Sequence, residues 1–230
     1  MVKHTLKTPA CIGIILDGNR RWARERNLPT FEGHRHGMAN VEKIARAARD
    51  FGIKHMIVYG FSTENWNRSK DEVHYLMGIF ESTIRENLKA MTTKEKTAVR
   101  FVGQRKRFPP SLQNAMREVE EQNPKNPRHT LWICLSYGSR AEIVDTVQRL
   151  SKKRQKITEK SLGTHLWTAG MPDPDLIIRT SGEQRLSNFL LWQGAYSELF
   201  FVKKHWPAFT RADLQKILRE YAKRERRMGR

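Results

Sequence analysis

The chain has 230 residues, 38% of them hydrophobic, and its 43 Lys and Arg against 24 Asp and Glu leave a formal charge of +19. That length fits one α/β domain spanning 1–230, with a core large enough to fold without disulfides or a structural metal, and the composition excludes disordered and collagen-like classes. The only cysteines, Cys11 and Cys134, lie in apolar runs and read as buried thiols suited to a reducing cytosol; the longest apolar stretches, around Ile12 to Leu16 and Phe189 to Trp192, fall far short of the ~20 residues of a membrane span, and no signal peptide is expected.

Strand-like and helix-like periodicities alternate along the chain. Ala10 to Leu16 is a short buried-strand pattern, followed by a charged Arg20 to Arg26 segment and a helix over Met38 to Phe51. His55 to Phe61 is a second strand. Val73, Leu76, Met77, Phe80, Ile84, Leu88 and Met91 then recur at helical spacing, which predicts one amphipathic helix over Asp71 to Met91. A Met-rich stripe of this kind is ordinarily plain core. Val99 to Val102 is a third strand, Pro109 and Pro110 open a helix reaching Glu121, Thr130 to Ser136 is a fourth strand, and Glu142 to Lys153 a helix. A polar connection leads to a short helix near Leu162 to Trp167, a fifth strand over Leu176 to Ile178, and a basic closing helix over Arg211 to Arg227. Strand and helix taking turns predict a mostly parallel central sheet flanked by helices, with the ligand crevice beyond the carboxyl ends of the strands.

The residues just after the strands are the unusual ones. After the first comes Asp17-Gly18-Asn19-Arg20-Arg21-Trp22. Asp-Gly also marks hairpins, but the residues that follow are helix formers. A Gly-Asn turn entering a helix exposes backbone N–H groups, and two arginines add charge, so the segment reads as a diphosphate cradle. Its one carboxylate, Asp17, would repel such a ligand unless a divalent cation bridges them; Asp17 as a turn cap is the alternative. After the second strand, Ser62-Thr63-Glu64-Asn65-Trp66-Asn67-Arg68 offers polar groups for an anion and an apolar wall, while Ser69 and Glu72 have the spacing of a capping box. His34 and His36, two apart, do not share a helix face and so do not form a metal pair; one of them beside a diphosphate can donate a hydrogen bond or proton. After the fifth strand, Arg179 to Asn188 combines two arginines with hydroxyls and a glycine, a second oxyanion site. Two such sites, with neither a Walker loop nor a GxGxxG run, point to two phosphorylated substrates rather than one nucleotide.

The positive balance suits nucleic acid, anionic lipid or diphosphates. Ten Lys and Arg against three acids fall in residues 203–230. The arginines gather at glycine turns after strands and no basic-aromatic stacking strip is evident, which argues against nucleic acid as the partner.

These motifs together, Asp17 to Ala23, Gly33-His34, Phe61 to Arg68, Tyr137 to Arg140, and Arg179 to Gln193 with Glu198, resemble the cis-prenyltransferases, the undecaprenyl diphosphate synthase family, in order through nearly the whole chain. The resemblance implies a homodimeric α/β enzyme with a hydrophobic tunnel. It implies that isopentenyl diphosphate is added with cis geometry to an allylic diphosphate, farnesyl or geranylgeranyl diphosphate, with Mg²⁺, to give a long-chain polyprenyl diphosphate. It assigns Asp17 to magnesium and to diphosphate departure, and Gly18, Asn19, Arg20 and Arg21, with His34 and Arg68, to the allylic diphosphate. Ser62 and Asn65 assist proton removal, and Trp66 belongs to a mobile loop. Trp22, Thr63 and Glu64 join the substrate-binding set; Arg179, Arg185 and Ser187 take isopentenyl diphosphate, and Glu198 is a metal ligand. Arg227 and Gly229, in a terminal Arg-x-Gly, complete a neighbour's site. Thr30, where many members carry Arg, Gln184, where some carry His, and Leu16, in place of Met, depart from the pattern. A cytoplasmic enzyme working peripherally at the inner membrane face is expected, since its product partitions into lipid.

Overall fold

The strands are β1 (Cys11–Ile15), β2 (His55–Ser62), β3 (Thr97–Val102), β4 (His129–Tyr137), β5 (Leu176–Arg179) and β6 (Glu198–Phe201) in a computed structural model that describes residues 8–225. They form one sheet ordered β3-β4-β2-β1-β5-β6, and every neighbouring pair is parallel. The helices are α1 (Asn19–Arg24), α2 (Thr30–Asp50), α3 (Lys70–Thr83), α4 (Lys89–Glu95), α5 (Pro110–Glu121), α6 (Ser139–Lys152), α7 (Glu159–His165) and α8 (Arg211–Lys223).

Three elements differ from the expectation. The helix over Asp71 to Met91 is interrupted: a π-helical turn, Ile84–Leu88, joins α3 to α4, which runs on to Glu95. The helix expected from Met38 starts at Thr30, so His34 and His36 are both helical. Gly33 and Gly37 weaken local propensity there, but they let α1 lie directly on α2. A Cβ on Gly33 would sit 2.0 Å from the Asn19 backbone oxygen, and one on Gly37 2.5 Å from Asn19 Oδ1. Strand β6 carries no alternation and lies at an edge; its pairing with β5, Leu176 opposite Glu198, defines it.

Both faces of the sheet are covered, as all-parallel sheets require. Ile12, Ile14, Val58 and Ile133 pack under α2, α3 and α5, while Ile15, Ile57, Tyr59 and Ile177 pack with Phe189 and Leu190 on the other face. Cys11 and Cys134 are free and buried in this second cluster. The chain leaves β1 for β2 on one side and returns to β5 on the other, so the topological switch lies at β1, and the loops after β1, β2 and β5 converge there.

His129, at the start of β4, puts Nδ1 2.8 Å from the Ile53 carbonyl oxygen while Nε2 is buried without a partner. Burial lowers its pKa from the ordinary 6.5 to about 4. A histidine with a lower pKa in the folded state supports folding fully above its unfolded value, and that support disappears as pH falls through the folded value. Urea midpoints should therefore decline between pH 6.5 and 4, by up to a few kcal/mol in stability, and His129→Gln should flatten the decline. An unchanged slope in the variant would contradict this origin.

Candidate active site

The three loops enclose a cleft of about 830 Å³, with Asp17 from the β1 loop, Ser62 and Asn65 at the end of β2, and Arg179 and Ser187 from β5 and its loop in its walls. A smaller recess of about 200 Å³ shares Asp17, Asn19, His34 and Arg68 with it and adds Gly18, Arg20 and Arg21. Residues far apart in sequence thus meet because β5 lies beside β1.

Asp17 is the electrostatic centre. Its Oδ2 accepts from Arg179 Nη2 at 2.8 Å and its Oδ1 from Arg21 Nη2 at 3.3 Å. Burial raises the pKa of this carboxyl, but the hydrogen bond and charge of Arg179, the charge of Arg21 and the Gly18 backbone N–H outweigh that and hold it below the ordinary carboxylate value. It is ionised at neutral pH. Arg179, whose side chain is 5% exposed, also donates to Ser187 Oγ at 2.7 Å and to the Arg185 carbonyl, and its Nε is buried without a partner.

Gly18 begins α1 at φ +100° and supplies no side-chain cap for the first-turn N–H groups. Behind it, Ser181 Oγ lies 2.7 Å from His205 Nδ1, and His205 Nε2 lies 2.8 Å from Glu25 Oε1. A Cβ on Gly18 would meet His205 Nδ1 at 2.6 Å and Ser181 Oγ at 2.7 Å. This Ser-His-Glu chain therefore buttresses the turn; its serine packs against the turn rather than facing substrate.

Both basic clusters close on internal carboxylates. Glu72 takes Arg68 at 2.9 Å and Arg20 at 3.6 Å, and His34 Nε2 stands 3.6 Å from it without a hydrogen bond. Burial, then the charge of Arg68, lowers the His34 pKa to about 4 against the pull of Glu72, so the imidazole is neutral at pH 7. Glu183 joins Arg21, at 3.1 Å, to Arg185. Each carboxylate occupies the focus of charges that an incoming anion would otherwise take. Glu72 is only half of the expected capping box: its N–H donates to Ser69 Oγ at 3.3 Å, while its side chain turns into the cleft wall to meet Arg68. Neither spacing nor periodicity signals this role.

On the opposite wall Asn65 Oδ1 accepts the Ser62 N–H at 3.0 Å, fixing the turn after β2. Asn188 is a hub that sequence spacing did not single out: Nδ2 donates to Glu64 Oε1 at 2.9 Å and Oδ1 accepts from the Arg140 N–H at 2.8 Å. Arg140 also lines the cleft; its place just after β4 is the signal that could have found it. Ser181, Ser187, Asn188 and Leu190 all have positive φ, and such backbone strain concentrated in one loop is a mark of functional segments.

Some predicted site residues are not gathered here. Trp22 packs under Arg26 and against His36. Trp66, expected over the cleft, donates Nε1–H to Ser136 Oγ at 2.8 Å and packs on Phe61 and Phe108, lining a separate groove on the other side of α3. Thr63 donates to Glu64 Oε2, and Arg185 contributes its carbonyl while its guanidinium turns outward to Glu183. Glu198 begins β6 opposite Leu176, at the amino end of the sheet, whereas Arg179 and Asp17 stand at the carboxyl end, and it accepts from Arg224 at 2.6 Å. Within one chain it cannot share an ion with Asp17. Arg227 and Gly229 lie outside the described residues.

The residues fit Mg²⁺ as a jointly held ion. Among the described residues no group of three or more His, Cys, Asp or Glu side chains comes together, and Asp17 is an ionised oxygen donor beside anion-binding groups. Mg²⁺ is commonly held by one or two carboxylates together with substrate phosphates.

Leu16, Met38, Gly60 and Phe80 line the cleft and also a narrow apolar slot between α2, α3 and the sheet, with room for about 10 Å³. That is about one water, so the slot is closed to a chain until its side chains move.

An α/β sheet carrying two arginine clusters on either side of Asp17, with an apolar slot behind them, is a site suited to ligands with an anionic head and an apolar tail. A family model described as "Putative undecaprenyl diphosphate synthase" matches residues 15–229, and the chain belongs to that family of cis-prenyltransferases. It is 43% identical over 230 residues to a tritrans,polycis-undecaprenyl-diphosphate synthase (geranylgeranyl-diphosphate specific) of Pyrococcus horikoshii, covering 96% of this chain and 87% of that one. It is 42% identical over 236 residues to a ditrans,polycis-undecaprenyl-diphosphate synthase ((2E,6E)-farnesyl-diphosphate specific) of Micrococcus luteus, covering 98% and 93%. Its fold matches the crystal structure of lavandulyl diphosphate synthase from Lavandula x intermedia in complex with dimethylallyl diphosphate, with a TM-score of 0.92 at 36% identity over 97% of this chain and 99% of that one.

Proposed function

We propose that the cleft joins isopentenyl diphosphate to an allylic diphosphate, farnesyl or geranylgeranyl diphosphate, in repeated cis additions that build a long polyprenyl diphosphate. The observation that carries this reading is the pair of arginine clusters flanking one ionised aspartate at the entrance to an apolar slot. In each cycle the allylic C–O bond breaks, diphosphate leaves, the allylic carbon bonds to the terminal alkene carbon of isopentenyl diphosphate, and a proton is lost to form the new double bond.

The allylic diphosphate takes the recess of Gly18, Asn19, Arg20 and Arg21, with His34 beside it and Arg68 released from Glu72. A neutral His34 donates one hydrogen bond without adding charge to repel the neighbouring arginines. Asp17 would hold Mg²⁺, which when bound would supply charge neutralisation to the departing diphosphate. Arg179 and Ser187 hold isopentenyl diphosphate on the other side, joined by Arg185 once it is released from Glu183. Fixing both head groups confers orientation, which contributes several kcal/mol to the barrier reduction. Ser62 and Asn65, at the end of β2 between the two sites, assist removal of the proton. Glu64 anchors Asn188 and so shapes that wall.

The tail enters the slot, widening it into a tunnel, and each added isoprene contributes burial of about 0.8 kcal/mol per CH₂-sized group. Gly60 stands at the junction, where a Cβ would meet Leu135 Cδ2 at 2.9 Å. Gly60→Leu should therefore shorten the product by several isoprene units, read by thin-layer sizing of labelled lipid; an unchanged ladder would exclude Gly60 as the throat.

Exposed Leu191, Tyr196, Leu199 and Val144, on the β5–β6 loop, the edge strand and α6, support a homodimer through this side of the sheet. Among the described residues no helix is long and apolar enough to cross a membrane, and delivery of the product is read as peripheral contact of a cytoplasmic enzyme with the inner leaflet. Incubation with Mg²⁺, labelled isopentenyl diphosphate and each allylic primer tests the reading. A ladder of cis-polyprenyl diphosphates is expected, and no incorporation with either primer would overturn it.

A further inference from the structure

The apolar slot has a distinctive far end. From the mouth at Met38 and Phe80, both walls run inward along their helices, one turn further to Val41 and Glu42 on α2 and through the π-helical turn to Asn87 and Leu88. The lining is apolar except for Glu42, Thr83 and Asn87. Asn87 Nδ2 donates to Glu42 Oε2 at 2.8 Å, so a hydrogen bond joins the two walls across the slot. The other Glu42 oxygen takes Arg46, which reaches Glu95 at 2.7 Å, and Arg49 grips the same Glu95 at 2.6 Å. The Glu42 side chain, which lines the slot, is 16% exposed and that of Arg46 40%, so this polar seam reaches from the slot to the protein surface.

We propose that the Glu42–Asn87 hydrogen bond is the latch that ends the tunnel and sets the length of the product; this rests on the prenyl-transfer reading above. An apolar chain tip that reaches Glu42 can advance only by separating a hydrogen-bonded carboxylate from its partners, which gives nothing back in return for their lost contacts. Growth therefore stalls at the seam while the head group still turns over. The π-helical turn lies in the same wall, and π turns inside helices concentrate at functional positions because the extra residue loosens the local hydrogen-bond ladder. Here it lets the α3–α4 wall yield along the slot while the latch holds its end.

The test compares the unaltered chain with Glu42→Ala, Asn87→Ala and Asn87→Leu under Mg²⁺, labelled isopentenyl diphosphate and farnesyl diphosphate, sizing the products and measuring the rate of the first addition. The two alanine variants should shift the product maximum upward by at least one isoprene unit, because the seam opens to solvent. Asn87→Leu, which fills the end with apolar volume, should shift it downward. The first addition should be unchanged in all three, since neither residue lies near the diphosphate sites. Normal first addition with an unmoved maximum in all three variants overturns the latch and leaves the function standing. Absence of incorporation by the unaltered chain overturns the function and the latch with it. If the alanine variants lose their circular-dichroism signature, the direction of the Asn87→Leu shift decides, and a longer product from it overturns the latch.

Discussion

Asp17→Ala will reduce turnover of isopentenyl diphosphate by about 10³-fold or more, some 4 kcal/mol of transition-state stabilisation, the scale of losing charge neutralisation at a departing oxyanion. The same change strands Arg179, whose guanidinium is buried and whose Nη2 points at Asp17 Oδ2 from 2.8 Å. Removing one partner of a buried pair costs about 3 kcal/mol of stability, so the variant will also melt earlier. Asp17→Asn separates the two effects. Its amide oxygen can still accept from Arg179, so stability should recover most of the loss, yet a neutral group no longer balances a cation and turnover should stay low. Steady-state kinetics beside thermal melts read both, and an asparagine variant with full activity would show that the charge of Asp17 is dispensable.

Gly33→Ala should be nearly as damaging although residue 33 touches no substrate. The added methyl would sit 2.0 Å from the Asn19 backbone oxygen, and backbone cannot rotate away as a side-chain end can. Overpacking of this kind costs about 3 kcal/mol. Relief requires α1 to lift from α2, which carries Asn19, Arg20 and Arg21 away from His34 and widens the recess. A displacement of about 1 Å in a positioning element lowers rate on the order of 10²-fold. Gly78→Ala is the matched control. It lies in α3 with nothing within 4 Å of a Cβ, so the helix should gain up to about 1 kcal/mol. Equal melting shifts for the two variants would show that close packing at Gly33 carries no special cost.

Particular residues show how much was legible in advance. The five strands with apolar runs and the helix opened by Pro110 follow from local periodicity and from proline's tolerance in a first turn, and each lies within a few residues of its expected bounds. Strand β6 does not, because four edge residues have no pattern of their own and exist as a strand only by pairing with β5. The long helix read correctly as an apolar stripe, but one wide turn inside it leaves the stripe intact and so leaves no periodic trace. In the site, Asp17, Arg179, Asn65 and Arg68 could be picked out because charged and amide residues follow buried strands. Glu72 could not, since its spacing from Ser69 suits a cap equally well, and only the approach of Arg20 and Arg68 shows which partner the carboxylate takes. The place of Glu198 at the amino end of β6 was not legible either, because a motif match carries residue identity, not which end of a strand the residue occupies.

By itself, then, the order of residues along the chain determined the alternation of elements and the segments bearing phosphate-binding groups, because those depend on contacts within a turn or a strand; that the sheet is parallel followed from the alternation, since strands separated by helices are joined by crossovers. Tertiary structure alone decided that Asp17 meets Arg179 across 162 positions, that glycines on α2 admit the cradle helix, and that Trp66 turns away from the cleft. Such pairings depend on which strands lie adjacent and which surfaces press together, and no local periodicity encodes them.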